Sequence, residues 1–449
     1  MKKFLLIGFA LVLGLNSMAQ YKLDTLNYAG DSKIFTDIVV LGDGFTKNEM
    51  NTFKYYVKDH INKFFNKTPF TQYQNMFNVF YVKTPSNESG AGDTPDKPID
   101  NIFGSCFGMD GVDRMCAPTN WNNVYEVLFS TKPDYDLVII MVNKKKYGGS
   151  GSSQFITYGI DDSSIEIIRH EAGHAFANLA DEYWYKGYER PNMTKDINNL
   201  KWKNWVGEYG IGTYRYSDNP NEKGYSWYRP HQKCLMRYLD CEFCAVCREA
   251  IVERIHDNSK NIISYSPNSD DEQDIKDAPV TFSLNLLKPN PNTLRINWMI
   301  DGVEIAHNVD QISLESSKLQ MGKHLLSVSV EDTTLFVRAA QHANLHTSIV
   351  NWNIQVSVNT GLEITSDATA DFTIEALPFD DELIIRSIHQ LQQSVAAELY
   401  DMNGRKVTKG TFNEANYCRL NTAQLPAGVY LLQIRQNNQS IYIRKILKR

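Results

Sequence analysis

The sequence predicts an α/β (α+β) domain followed by two small all-β sandwich domains. Three observations lead there. Over residues 21–265, continuous apolar runs of strand length alternate with segments whose apolar residues recur at helical spacing. The polar, acidic stretch 258–277, with Asp270-Asp271-Glu272 inside it, interrupts that pattern and reads as a linker. Beyond it come only short alternating runs separated by turn residues, at the spacing of sandwich strands.

Residues 1–20 (MKKFLLIGFALVLGLNSMAQ) join Lys2 and Lys3 to the apolar run Phe4–Leu15 and the small-residue site Ser17-Met18-Ala19. This is the form of a secretory signal peptide ending at residue 19. The run is about a dozen residues, short of the roughly 20 that cross a bilayer, so no stable membrane insertion is expected. Asp37–Gly42 reads as a buried strand, Thr46–Phe65 as an amphipathic helix, and Met76–Lys83 and Tyr135–Val142 as further strands. The Gly-, Asp-, Ser- and Pro-rich stretch 84–120 is long for a plain connection and is expected to be functional or pinned by a disulfide. In 278–358, the runs Val280–Leu287, Leu294–Ile300, His324–Val330 and Ser348–Val358 predict an immunoglobulin-like sandwich. In 365–449, Glu382–Ile388, Val395–Tyr400, Gly428–Ile434 and Ser440–Ile446 predict a second.

The 449 residues are 42% hydrophobic and 22% charged, the composition of an ordinary globular protein. A formal charge of −6 gives no basic excess for nucleic acid or anionic membrane. Export favours paired thiols among the seven cysteines. Cys106 and Cys116 could close a loop. Cys234, Cys241, Cys244 and Cys247 contain a CxxC element that would hold zinc in a cytosolic protein, but here one or two disulfides are the preferred reading. Cys418 is left over and is expected to be a free, buried thiol.

The chemistry concentrates in Asp162–Tyr185. Ser163 with Glu166 three residues later has the form of a capping box, and Ile165, Ile167, Ile168, Phe176 and Leu179 supply an apolar helix face. At about 100° per residue, His170 and His174 leave the same side of that helix one turn apart and can reach one ion, with Glu171 beside them. Two neutral imidazoles and a third ligand would leave a zinc position open for water, and Glu171 would serve as general base and acid. Asp181 returns to the same face, but an unbroken helix would carry it about 10 Å past His174, so the helix must stop or bend after Ala177-Asn178. If it does, Asp181 is the third metal ligand, with Glu182 as substitute and His231 or Glu189 behind them.

The run HEAGHAFANLADEY (170–183), with Lys233–Tyr238 (KCLMRY) and the following FCAVCREAI, resembles the M64 peptidases, the immunoglobulin A peptidase family of metzincin-like zinc endopeptidases. The resemblance extends over roughly 21–265. It implies a methionine turn at Met236 and nominates Tyr238 as a catalytic auxiliary that stabilises the oxyanion. Where the general metzincin pattern has a glycine and a third ligand, this chain has Ala177 and Ala180, as if one residue were inserted ahead of Asp181. A strand over the helix should bind extended substrate, and Gly148–Ile160 is the candidate rim. Trp184, Trp202, Trp205 and Trp227 are expected mainly to pack beneath a long loop.

Residues 365–449 resemble the C-terminal sorting domain of type IX secretion substrates, through LYDMNGRKV (399–407), LPAGVYLLQI (425–434) and the basic IRKILKR (443–449). That implies handling by the type IX secretion machinery and a secreted or cell-surface location. Together these readings predict an exported Zn2+-dependent endopeptidase acting on extracellular proteins or glycoproteins, host mucosal proteins or immunoglobulin among them. The rivals are a noncatalytic adhesin or glycan-binding protein on the same scaffold, and a metal-dependent amidase acting on cell-wall or glycoconjugate substrates.

Overall fold

The computed structural model describes residues 21–276, 278–357, 372–375, 378–391, 394–412, 414, 416–436 and 439–449. The expected signal peptide lies outside the described residues. One compact unit comprises residues up to 275 together with 279–356, and a second comprises 276–278 with 357–449.

The first unit is built on a six-stranded sheet. Its elements run β1 (Leu23–Asn27), β2 (Thr36–Asp43), α1 (Met50–Phe65), α2 (Phe70–Tyr73), β3 (Phe77–Val82), α3 (Trp121–Thr131), β4 (Leu137–Val142), β5 (Gly149–Ser152), β6 (Phe155–Gly159) and α4 (Ser164–Ala175). The strand order is β1-β3-β2-β4-β6-β5, parallel from β3 through β6 and antiparallel at both edges. Both faces of the central strands are covered, which is why they read as unbroken apolar runs. Ile38 and Val40 of β2 point into the core shared with α1 and α4, while Val39 and Leu41 point into the one shared with α3.

The 84–120 stretch is pinned by a buried carboxylate rather than by a disulfide. Asp43, at the end of β2, accepts the backbone N–H groups of Phe103 (3.2 Å) and Ser105 (3.0 Å), and Cys106 and Cys116 are both free. A chain segment without a ladder of its own still needs its N–H groups satisfied, and Asp43 supplies acceptors at the C-terminal end of a central strand.

After α4 the chain runs without long elements through a short pair, β7 (Tyr214–Arg215) and β8 (Tyr228–Arg229), into α5 (Ala245–Asn258). The sandwich then follows as β9 (Ile262–Ser266), β10 (Gln273–Ile275), β11 (Val280–Leu286), β12 (Leu294–Ile300), β13 (Val303–His307), β14 (Gln311–Leu314), β15 (Gly322–Asp332), α6 (His342–His346) and β16 (Ser348–Val356). Its sheets are β10-β16-β15-β12-β13 and β14-β11-β9, with Trp298 and Trp352 stacked in the core, ring centroids 5.8 Å apart.

The expected linker at 258–277 is therefore corrected. Residues 262–266 and 273–275 are strands of the sandwich. Acidic composition hid them because a strand needs only alternate residues inside: Ile275 is fully buried beside the half-buried Gln273 and exposed Asp274. The sandwich also packs on the α/β part through a buried polar knot, in which Asp332 accepts from Tyr73 Oη (2.9 Å) and His256 Nε2 (3.0 Å).

The second unit contains β17 (Phe372–Glu375), β18 (Glu382–Ser387), β19 (Val395–Tyr400), β20 (Lys406–Thr411), β21 (Tyr417–Asn421), β22 (Gly428–Gln436) and β23 (Gln439–Lys448). They form sheets β17-β18-β21 and β20-β19-β22-β23 around Leu383, Ile385, Leu399, Leu432 and Ile434. Cys418 is a free, buried thiol in that core. No described helix is long and apolar enough to cross a membrane.

Candidate active site

Helix α4 presents its two histidines as the i, i+4 spacing requires. His170 and His174 lie one turn apart with their Nε2 atoms 3.3 Å from each other. Each Nδ1 is paired with a backbone carbonyl, His170 with Leu235 O (2.9 Å) and His174 with Leu179 O (2.8 Å). These bonds hold the protons on Nδ1 and leave both Nε2 lone pairs aimed at the same point. The helix start differs from expectation: Ser163 is the N-cap residue but makes no side-chain cap hydrogen bond. Glu166 pairs instead with the buried Arg169, so the expected capping box gives way to an ion pair.

The helix stops at Ala175, and Asn178 adopts a left-handed conformation (φ 54°) that reverses the chain. Asparagine tolerates that region better than most residues. The Leu179 N–H closes back on Gly173 O at 2.8 Å. The reversal delivers Asp181, whose Oδ1 is 3.1 Å from His170 Nε2 and 3.2 Å from His174 Nε2. Glu182 goes the other way, into a buried pocket with Cys234, Cys244 and Cys247. Its N–H donates to Met236 O at 2.7 Å. The turn carrying Leu235 and Met236 lies directly against α4, since a Cβ on Gly173 would stand 2.5 Å from Met236 Sδ. Gly173 permits that approach.

Three donor atoms 3.1–3.3 Å apart match the spacing of nitrogen and oxygen ligands held about 2.0–2.2 Å from a common ion. The pocket also favours positive charge. Burial works against protonation of His174, but the Asp181 and Glu171 carboxylates outweigh it and push its pKa up to about 9. Asp181 is held well below the usual carboxylate range by both imidazoles, despite its burial. Burial pushes the Glu171 carboxyl up. The donor set and the charge demand fit a divalent cation such as zinc.

Two clefts meet at this point, one of about 1000 Å³ and one of about 560 Å³. Arg114, Gly149, His170, Glu171 and Tyr183 line both. Edge strand β5 lies on α4 so closely that a Cβ on Gly151 would stand 2.4 Å from Glu171 O. Tyr183 stacks on His170 (interplanar angle 6°), and its hydroxyl accepts from Arg114 Nη2 at 3.4 Å. Tyr238 is 47% exposed on the rim of the smaller cleft.

The structure brings His170, Glu171, His174 and Asp181 together, and beside them Tyr183 and Arg114, which the sequence did not nominate. Tyr183 was within reach, two residues past a candidate ligand; Arg114, in the long loop, carried no local signal. His231 and Glu189 are not brought to the histidines: His231 bonds Lys233, and Glu189 pairs with Lys201. Trp202 and Trp205 are buried packing. The cysteine cluster departs from the preferred reading, since its thiols are unlinked.

Residues 25–211 match the family model described as IgA Peptidase M64, and residues 377–449 match that of a secretion system C-terminal sorting domain. The first match stops short of Met236 and Tyr238. No curated protein matches the chain. Among solved structures, a Bacteroides ovatus mixed-linkage glucan utilization locus protein, SGBP-B, in complex with a mixed-linkage heptasaccharide, is 15% identical over 42% of this chain and 46% of its own, with a TM-score of 0.16. The chain thus spans less than half of that structure's length. Fibronectin(III)-like modules of Clostridium thermocellum CbhA are 12% identical over 22% of this chain and 98% of theirs, with a TM-score of 0.15. At such scores these likenesses carry no argument about function. The sorting domain marks the chain for export to the cell surface or medium. Residues 25–211, which hold α4, both histidines and Asp181, thus match the M64 peptidase family, and 377–449 match the type IX secretion sorting domain.

Proposed function

We propose that the chain is an exported zinc-dependent endopeptidase that hydrolyses extracellular proteins. The observation that carries this reading is the convergence of His170 Nε2, His174 Nε2 and Asp181 Oδ1 within 3.3 Å of one another, with Glu171 on the same helix at the junction of two clefts. Residues 20–265 are the catalytic region, 278–358 a spacer or adhesion module, and 365–449 the secretion signal.

His170, His174 and Asp181 hold the metal in this reading. Zinc so bound lowers the pKa of water towards 7 and polarises a carbonyl oxygen. Leu235 O and Leu179 O keep both imidazoles in the ligating tautomer. Glu171 accepts a proton from the attacking water and returns it to the leaving amine. The free edge of β5 pairs with the substrate backbone, so affinity comes from main-chain hydrogen bonds and the clefts sort side chains. Tyr238 donates to the developing oxyanion from the rim, while Tyr183, stacked on His170 and bonded by Arg114, holds that imidazole in place. Immunoglobulin or another mucosal glycoprotein is the substrate class that kinship favours.

The test is cleavage of a mixed set of unfolded and mucosal proteins by the chain, beside Glu171→Ala and a chelated sample. Cutting by the wild type alone, restored by zinc after chelation, is expected. Folded, zinc-loaded chain that cuts nothing overturns the reading.

A further inference from the structure

On the far side of the Asp181–Glu182 peptide bond from the histidines, four donors meet in a fully buried pocket. The Glu182 carboxylate and the thiols of Cys234, Cys244 and Cys247 each offer one ligand atom, and all four atoms lie within 4.8 Å of one another. Cys247 Sγ is 3.3 Å from Glu182 Oε1, and Cys244 Sγ is 3.9 Å from it. Cys234 Sγ is 3.7 Å from Cys247 Sγ. Thiolates about 2.3 Å from a shared tetrahedral ion stand about 3.8 Å apart, so the thiols are spaced as co-ligands.

The acid has no other explanation in its surroundings. Glu182 is fully buried, Oε2 has no hydrogen-bond partner, and Oε1 meets only Asn192 and the thiols among the described residues. An ionised carboxylate in that setting is costly unless a cation accompanies it. Cys244 caps α5 and Cys247 stands in its first turn, where the backbone N–H groups favour thiolates. Cys241 stays outside the cluster, more exposed and turned to Asp240.

We infer that Glu182, Cys234, Cys244 and Cys247 form a second, structural metal site suited to zinc, separate from the histidine centre. Three soft sulfurs and one oxygen select zinc over magnesium or calcium, and four protein ligands leave no open position for chemistry. Binding transfers the thiol protons to solvent and moves no electrons. The ion would join three segments that shape the neighbouring centre: the residue after Asp181, the residue before the Leu235–Met236 turn, and the start of α5. This inference stands independently of peptidase activity, because an inactive chain can still hold this ion.

The full chain, purified without chelators, should contain two zinc ions by elemental analysis, and the His170→Ala/His174→Ala double variant should keep one. X-ray absorption at the zinc edge of that double variant should show sulfur neighbours at about 2.3 Å, and cobalt substitution should give it an intense sulfur-to-metal charge-transfer band. Cys247→Ser should lower the wild-type content from two ions towards one; if that variant does not fold, the spectrum of the histidine variant decides. A histidine variant without zinc, a spectrum of nitrogen and oxygen neighbours only, or a disulfide joining Cys234 to Cys244 or Cys247 in peptide mapping overturns the inference.

Discussion

The backbone N–H of Glu182 donates to the carbonyl oxygen of Met236 at 2.7 Å, across 54 positions of sequence. That bond ties the strand of chain bearing Asp181 to the turn beneath the two histidines. One residue before it, Asp181 faces His170 and His174; Glu182 faces the thiols. Adjacent carboxylates thus serve two different clusters, one on each side of the chain.

Asp181→Ala should lower zinc affinity at the histidine centre by more than about 100-fold, since even residues that only orient ligands contribute 10–100-fold. Competition with a chromophoric chelator measures it. Unchanged affinity would remove Asp181 from the ligand set.

The two tyrosines should separate by readout. Tyr238→Phe is expected to lower kcat by about 100-fold with zinc content unchanged, the effect of losing one oxyanion donor. Tyr183→Ala, which loses the ring stacked on His170, is expected to weaken zinc binding by about tenfold. The reverse pattern would exchange their roles.

Gly151→Val would place side-chain atoms against the backbone of Glu171, where even a Cβ comes within 2.4 Å of a carbonyl oxygen. Strand β5 must then lift off α4. A displacement near 1 Å costs on the order of 100-fold in kcat/KM, while thermal unfolding and zinc content should change little. Full activity in this variant would argue against β5 as the substrate rim.

Stability should fall on acidification through His60. Burial holds its pKa down to about 4 from an ordinary 6.5, with the neutral ring beside the Tyr158 hydroxyl at 2.8 Å. Between those values the unfolded chain binds a proton that the folded chain refuses, so this stability is full above 6.5 and declines as pH drops towards 4. The loss approaches about 3 kcal/mol. In urea titrations at pH 7 and 4.5, His60→Phe should lose about 2 kcal/mol less than wild type. Equal losses would contradict the assignment.

Asp332 tests the packing of the sandwich on the α/β part. Burial raises its pKa, but hydrogen bonds from His256, Thr293 and Tyr73 outweigh that and hold it below the ordinary range. Its contribution is therefore present above that ordinary range and lost as pH falls through the depressed value. Asp332→Ala, which strands those partners, should cost about 2–4 kcal/mol at pH 7 by urea unfolding. A cost under about 0.5 kcal/mol would show the knot to be incidental.

Local rules sufficed for some of this protein. Periodicity found β2, β3, β4, α1 and α4, because a strand or helix buries its face by a repeat that neighbouring residues already display. The same reasoning paired His170 with His174 and put Glu171 beside them, since one helical turn sets that geometry wherever the helix lies. It failed at β9 and β10, where acidic neighbours masked the buried positions, and at the cysteines, where spacing could not tell thiols from disulfides. The sequence favoured Asp181 over Glu182 only on condition that the helix stopped in time. That choice rests on the left-handed turn at Asn178, on Gly173 admitting Met236, and on the bond from Glu182 to Met236. Two of these three join residues about 55–65 positions apart, and such contacts exist only once the chain has packed. Arg114 reaches the site the same way, so the paired histidines belong to the helix while the third donor and its surroundings belong to the fold.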